Sequence, residues 1–502
     1  MFDARQRGGP IAHFPHAPLA KDLPVALPRD FRPKRSIPPW RGAQFCMGCV
    51  SRTATMRAGR LMQPVPQPPR LLVIFGLILA YAWYYVCRYS LTYAGPMLVQ
   101  QQNLDLRKFG LVISTGQVTI GFSKALTSVL TVDLPPSKCL VLGLLLTGAC
   151  NILAACLPSR SITLFLAIVW AFNGLFQGFG SPSCARVINS WCGPQERGFF
   201  WSLWNSSNNL GGALAPVMVS LGLALTSHWR GSLLLAGLST LPVSVLVACI
   251  IRDAPRNTKP AGTEATTNAT EHDTAQPGNE KLEGVSLFWR GCLAEPGLAN
   301  LAIANFFLFC VRGALINWLA FLLFHRSTRA AAPYLSIFEL GGMVGSVSSG
   351  ALSDFWWRRQ GSEAPLIGCR LQVAVASVAC ILIPAAVTIA VLENAPRLLL
   401  LAMFAGGFGL YVAQALSALA GLESVSGRAA GVSQGILGCA AYTGAATAGL
   451  PLSWLIQGRM GWTAWRTALV FGSVAVCIML LPLCRLPSHD QRRKKIKKLR
   501  LA

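Results

Sequence analysis

Twelve apolar stretches dominate the sequence, near 71–95, 108–131, 139–157, 161–182, 199–225, 231–251, 297–323, 331–352, 368–391, 396–416, 428–450 and 464–484. Each is close to the roughly 20 residues that cross a hydrocarbon core as a helix. The chain is therefore expected to be an all-α polytopic membrane protein with 12 transmembrane helices. Charged residues make up 13% of it, against about 25% in an ordinary soluble protein, which excludes a string of soluble domains. An even number of spans places both termini on one side.

Charge is concentrated at the ends. The chain carries 44 Lys and Arg against 19 Asp and Glu, a net of +25. Residues 1–70 hold 12 basic and 3 acidic residues, and residues 485–502 hold 8 basic residues against Asp490. Two terminal segments thus supply most of the excess, which is the positive-inside bias of a protein with both ends in the cytoplasm. Neither end offers a folded basic face with stacking aromatics, so no nucleic-acid partner is expected. With 12 prolines and no apolar run, residues 1–70 read as a disordered cytosolic extension without a cleavable signal peptide. Cys46 and Cys49 form one CxxC with no second pair at zinc spacing, and the other cysteines are scattered through apolar stretches. No metal, cofactor or disulfide framework follows. The one long polar loop, 252–294, reads as a cytosolic linker. The domains expected are the basic extension 1–70, a six-helix bundle over 71–251, the linker 252–294, a second six-helix bundle over 295–484, and a basic cytosolic tail 485–502.

The two bundles echo each other. Arg88 in span 1 and Arg312 in span 7 are 224 residues apart, Asp133 and Asp354 after spans 2 and 8 are 221 apart, and Arg197 and Arg428 opening spans 5 and 11 are 231 apart. Matching features at nearly one offset predict parallel six-helix repeats, the plan of the major facilitator superfamily. Residues 349–359, Ser-Gly-Ala-Leu-Ser-Asp-Phe-Trp-Trp-Arg-Arg, resemble that superfamily's loop motif. There Asp354 is expected to cap a helix or pair with an arginine when the cytoplasmic side closes. The equivalent loop around Asp133 keeps the acid but loses the adjacent arginine.

Four ionisable residues lie inside spans and away from their ends: Arg88, Lys124, Arg312 and Glu339. Each costs about 2.5–3.5 kcal/mol at a helix centre on insertion scales, and such residues persist where they face a cavity or a partner. Spans 1 and 7 of a two-repeat transporter line the central cavity, so Arg88 and Arg312 are expected to face each other there. Guanidinium offers a fork of donors matched to phosphate and keeps its proton. Two arginines neutralise a phosphate monoester of charge about −1.5 to −2, and Lys124 adds a third contact. Glu339 pairs with Lys124 or with an arginine. Two unpaired buried cations make the empty carrier costly to close, which predicts obligatory exchange of organophosphate for inorganic phosphate.

These residues resemble the organophosphate:phosphate antiporters of the major facilitator superfamily, and most of all the glucose-6-phosphate translocase branch. Tyr84-Tyr85-Val-Cys-Arg88 matches the family's tyrosine pair ahead of its phosphate-binding arginine, and Gly121-Phe-Ser-Lys124 its span-2 Ser-Lys. The run from Asn173 through Gln177 to Cys184 resembles its span-4 signature. Glu196-Arg197-Gly198 and the run from Trp204 to Gly212 match span 5, and Glu339-Leu-Gly341-Gly342-Met-Val-Gly345-Ser346 matches span 8. The similarity runs over about 71–484. It implies a hexose-phosphate substrate, a monomer, and the endoplasmic reticulum membrane. It further implies substrate contacts from Tyr84, Tyr85, Asn208, Asn317, Trp318 and Tyr411. Some positions depart from the family. Asn208 stands in place of a histidine, Tyr89 in place of a lysine, and Asn317 where an aspartate is common. With that acid missing, Arg312 is expected to be freer to bind anion.

Two other readings share the fold. One is a glycerol 3-phosphate or triose-phosphate antiporter, and the other a hexose-phosphate receptor that signals without transport. An exporter of another organic anion or drug needs no phosphate clamp. No nucleophile–base pair or metal-ligand spacing points to an enzyme.

Overall fold

The structure is a computed structural model that describes residues 68–130, 134–158, 161–192, 197–255, 295, 297–326, 331–361, 363–391, 395–425, 430–489 and 491–493. Asp133, Arg428, the Cys46–Cys49 pair and nearly all of the N-terminal extension and linker lie outside the described residues.

Every described element is helical. The first half contains α1 (Arg70–Gln102), α2 (Leu106–Leu130), α3 (Pro136–Cys156), α4 (Ile162–Trp191), α5 (Phe199–Thr226) and α6 (Trp229–Ile250). The second contains α7 (Leu298–Arg326), α8 (Ala332–Gln360), α9 (Leu366–Val391) and α10 (Pro396–Ser424). It closes with α11 (Ala430–Thr447, then Leu450–Gln457) and α12 (Trp462–Leu480). Ten of these are long and apolar enough to cross a membrane. The two that fall short, α2 and α11, are rich in Gly, Ser and Thr and pack against each other between the halves. α11 is also broken into two shorter segments, and α2 still exposes Leu111, Val118, Phe122 and Leu126 on its outer face.

Several spans, α1, α4, α8 and α10 among them, are longer than their apolar runs suggest. The first apolar run, 71–95, stops just before Pro96, where a proline would ordinarily end a helix, but α1 continues through Pro96 to Gln102. A proline in a buried membrane helix costs one backbone bond, and neighbouring helices absorb the bend. The helix stops at Asn103, whose left-handed backbone (φ 48°) turns its N–H back to the Gln100 and Val99 carbonyls.

Packing repeats with the sequence. In the first half α1 packs on α5 and α6, α2 on α4, and α3 on α6; in the second, α7 packs on α11 and α12, α8 on α10, and α9 on α12. Each pairing recurs six helices on, as parallel repeats require. Glycines allow the closest of these contacts: a Cβ at Gly341 or Gly345 of α8 would overlap the carbonyl oxygen of Phe404 or Phe408 in α10.

The halves meet through α2 with α11, α5 with α8, and α1 with α7. The side-chain contacts that join them gather at the end away from the termini. Ser114 Oγ donates to the Ala446 carbonyl (2.7 Å) and accepts from the Leu450 N–H (2.7 Å). Phe109 packs on Trp318 and Phe321, Arg107 lies over the Trp454 ring, and Ser336 Oγ donates to the Ala213 carbonyl. Toward the other end, added Cβ atoms at Gly350, Gly435 and Gly438 would meet nothing within 4 Å. The molecule is thus closed at the end away from the termini.

Candidate functional site

Between the halves lies a narrow cavity lined by α1, α2, α7 and α11. Arg88 and Arg312 both line it, each near the middle of its helix and each about 5% exposed or less. The repeat relation read from sequence therefore brings the two guanidiniums to one chamber. Tyr89, Gln117, Phe309, Ile316, Asn317 and Tyr442 supply much of the remaining wall, mixing neutral hydrogen-bonding groups with apolar surface.

Arg88 is held by neutral groups. Its Nε donates to Gln177 Oε1 of α4 (2.5 Å), and its guanidinium lies 4.2 Å over the Tyr85 ring. Its Nη2 is buried with no hydrogen-bond partner. A buried charged donor left unmatched is expensive, so this atom marks where an anion gains most.

Arg312 is held differently. Its Nη2 pairs with Glu339 Oε1 at 3.3 Å, both side chains being buried. The guanidinium lies 4.8 Å over the Tyr411 ring, and Nε has no partner. Glu339 is completely buried and is a hub: Tyr411 Oη (2.6 Å) and Asn209 Nδ2 (3.0 Å) both donate to its Oε2. Of the two partners expected for Glu339, Lys124 or an arginine, it is Arg312, so Arg312 is less free to bind anion than the loss of the family aspartate alone suggests. The Asn317 substitution removes one acid, but Glu339 on α8 reaches the same guanidinium. The expectation of two unpaired cations is corrected: among these, Arg312 is paired. Glu339 takes the arginine, and Lys124 lies elsewhere, its Nζ 4.8 Å over the ring of Tyr442. Lys124 is half-buried, and Tyr442 interacts with both it and Arg88.

Other residues singled out in the sequence divide into wall and frame. Asn317 lines the cavity, and Tyr85 and Tyr411 lie under the two guanidiniums. Tyr84 points away, its hydroxyl donating to the Leu140 carbonyl of α3 (2.8 Å). Trp318 Nε1 donates to the Ala448 carbonyl (2.6 Å) within the closed end. Both are framework, because their polar atoms are spent on backbone. Asn208 Nδ2 donates to Asn205 Oδ1 (3.2 Å) beside the bend in α5 and is not part of the cavity wall. Arg197 starts the helix Arg197–Asn205, two residues before the first residue of α5. Asp354 pairs with Arg370 (3.1 Å), which also binds Glu423 (2.8 Å) and Ser353. This cluster lies wholly in the second half, so it braces that half instead of locking the two together.

Sequence reading did not single out Gln177, Tyr442, Gln117, Asn209 or Arg370. Tyr442 had a signal, as an isolated tyrosine in an Ala/Gly-rich helix. Gln177 sat inside the span-4 signature without a role. Arg370 lay too near a span end to count as an intramembrane charge.

Residues 77–449 match the Major Facilitator Superfamily. A probable hexose phosphate transport protein of Chlamydia trachomatis is 30% identical over 84% of this chain and 93% of its own length. A membrane sensor protein, UhpC, of Salmonella typhimurium is 30% identical over 82% of this chain and 91% of its own. Among solved structures, a bacterial homologue of the lysosomal transporter Spinster, in an inward-facing and unoccupied conformation, superposes with a TM-score of 0.60 at 16% identity. It covers 84% of this chain and 96% of that one, a likeness of fold. Two packed repeats among the described helices, paired arginines on one central cavity and similarity over more than four fifths of the chain agree: the chain is a multi-pass membrane protein of the Major Facilitator Superfamily and belongs to its organophosphate:phosphate antiporter family, whose members are carriers and sensors, not enzymes.

Proposed function

We propose that the chain exchanges a sugar phosphate, a hexose phosphate such as glucose 6-phosphate, for inorganic phosphate by alternating access. The observation that carries this reading is the unpartnered Nη2 of Arg88 on the same cavity as Arg312. The Chlamydia relative named for hexose phosphate points to the same substrate class.

Phosphate enters beside Arg88 and competes with Glu339 for Arg312. Glu339 keeps its Asn209 and Tyr411 donors when Arg312 leaves, so its charge is not stranded. Counted as ionised, Arg88, Arg312 and Glu339, with Lys124 behind the cavity-lining Tyr442, leave two positive charges near the cavity. A phosphate ester of about −1.5 to −2 cancels them. Closing a dry cavity around an uncancelled pair is costly, so the loaded carrier turns over and the empty one does not. The neutral groups Gln117, Asn317 and Tyr89 meet sugar hydroxyls, and Phe309 and Ile316 meet its apolar face. The protein works as a monomer with both termini in the cytoplasm, and the closed end faces the other side. The two six-helix bundles, 71–251 and 295–484, are the moving parts. Placement in the endoplasmic reticulum rests on the glucose-6-phosphate resemblance alone, since the named relatives are bacterial; co-fractionation of the tagged chain with that membrane tests it.

The deciding experiment is counterflow of labelled phosphate in reconstituted vesicles against glucose 6-phosphate, glycerol 3-phosphate and triose phosphates. Exchange driven best by the hexose phosphate, with little efflux into phosphate-free medium, is expected. Efflux as fast as exchange would sink the obligatory-exchange reading. Saturable binding with no flux would make the chain a receptor like the sensor relative.

A further inference from the structure

Resting on the reading of Arg88 as a phosphate ligand, we propose that Gln177 is a positioning residue that keeps the Arg88 charge available to the transported anion. Its being an amide, not a carboxylate, is what does so. Gln177 is 1% exposed and ends the first segment of α4. The turn beyond it is tight, the Gly178 N–H returning to the Leu175 carbonyl (3.2 Å). Two hydroxyls of α2 clamp that turn: Ser123 Oγ donates to the Gly174 carbonyl (3.1 Å) and Thr127 Oγ1 to the Gly178 carbonyl (2.8 Å). The backbone under Gln177 is therefore fixed by the helix that carries Lys124.

The direction of the amide is fixed as well. Gln177 Nε2 donates to Asn173 Oδ1 (2.9 Å), and Asn173 Nδ2 donates to the Thr147 carbonyl of α3 (3.4 Å). Asn151 Nδ2 donates to the same Thr147 carbonyl and to the Cys87 carbonyl (3.1 Å each), while Ser90 Oγ donates to Asn151 Oδ1 (2.5 Å). The chain of bonds leaves α1 at Arg88, crosses α4 and α3, and returns to α1 on both sides of Arg88. With each NH2 committed away from Arg88, only a carbonyl oxygen can face its Nε. Aligned amides in a low-dielectric interior polarise one another, so the guanidinium is oriented firmly by a group that carries no net charge. Nη2 is left buried and unmatched, and the full positive charge stays on offer. Across the cavity, Glu339 orients Arg312 and cancels it at once. The amide at Gln177 is what prevents the same outcome for Arg88.

The test uses the full-length chain in liposomes, reading the half-saturation and maximal rate of phosphate self-exchange, with melting temperature in detergent as a control for folding. Q177E matches glutamine in shape but cancels Arg88; half-saturation should rise at least about tenfold, a loss of ~1.4 kcal/mol. Q177L keeps the charge but frees the fork, and should raise it only about threefold. Maximal rate should move less than half-saturation in both. A merely structural role predicts the reverse ranking, with the isosteric Q177E the milder change, and that result, or wild-type half-saturation in both, overturns the proposal. If Q177E is not recovered as folded protein, N173D and N173L repeat the comparison one link away. N173D raising half-saturation more than N173L supports the proposal, and the opposite order overturns it. R88K separates the two levels: phosphate exchange intact in R88K ends the phosphate reading itself, while exchange lost in R88K but normal in Q177E ends the Gln177 proposal alone.

Discussion

Two arginines occupy equivalent places in the two halves and are held in opposite ways. Arg88 rests on a neutral amide and a tyrosine face, with one nitrogen unmatched. Arg312 rests on a buried carboxylate that also ties α5 and α10 to α8. Backbone symmetry sets where the guanidiniums stand, and their immediate partners set what each can do. One half presents a standing anion receptor. The other presents a latched one, released when an anion displaces Glu339.

Variants that break this contrast should rank in order. The largest loss is expected for R88K, which removes the fork from the receptor with no other charge in place; each lost charged hydrogen bond is worth about 1.5–3 kcal/mol, so phosphate exchange should fall about 100-fold or more. R312K should lose less, about tenfold, because Glu339 already takes part of that charge. Equal losses measured by labelled-phosphate exchange would erase the distinction. E339Q should act in the other direction on binding: half-saturation about tenfold lower, with a slower maximal rate as release loses its competitor. Y411F withdraws one donor from Glu339 and should shift half-saturation by about threefold. The smallest effect on transport is expected for R370Q. It strips the partner from Glu423 and Asp354 far from the cavity, lowering stability by about 1–3 kcal/mol in thermal melts while half-saturation stays as in the wild type.

Much of this architecture was legible in the sequence because membrane helices are written as long apolar runs. The repeat was legible because Arg88 and Arg312 fall at one offset. Pro96 misled, since a proline stops helices in water more firmly than in a bundle. The partner of Arg312 was hidden for a different reason. Glu339 lies 27 residues from Arg312, on the next helix, and only the depth of both in the membrane brings them level. Tyr84 and Trp318 looked like sugar contacts because aromatic type does not report direction, and a single residue, about 100° of helix rotation, separates a cavity wall from a helix–helix seam. Gln177 was invisible as a single letter: its role arises from a bond network spanning α1, α3 and α4.

Ser114 gives the closed end a further meaning. One hydroxyl serves both the Ala446 carbonyl and the Leu450 N–H at the break in α11. Parting the halves there strands two backbone groups together, at about 1–3 kcal/mol each unless water reaches them. A penalty of that size skews the resting population toward one orientation by one or more powers of ten. Apparent affinity falls in proportion to the fraction of carriers facing the ligand. The same site should therefore show unequal half-saturation from the two faces of the membrane, and S114A should draw the two values together.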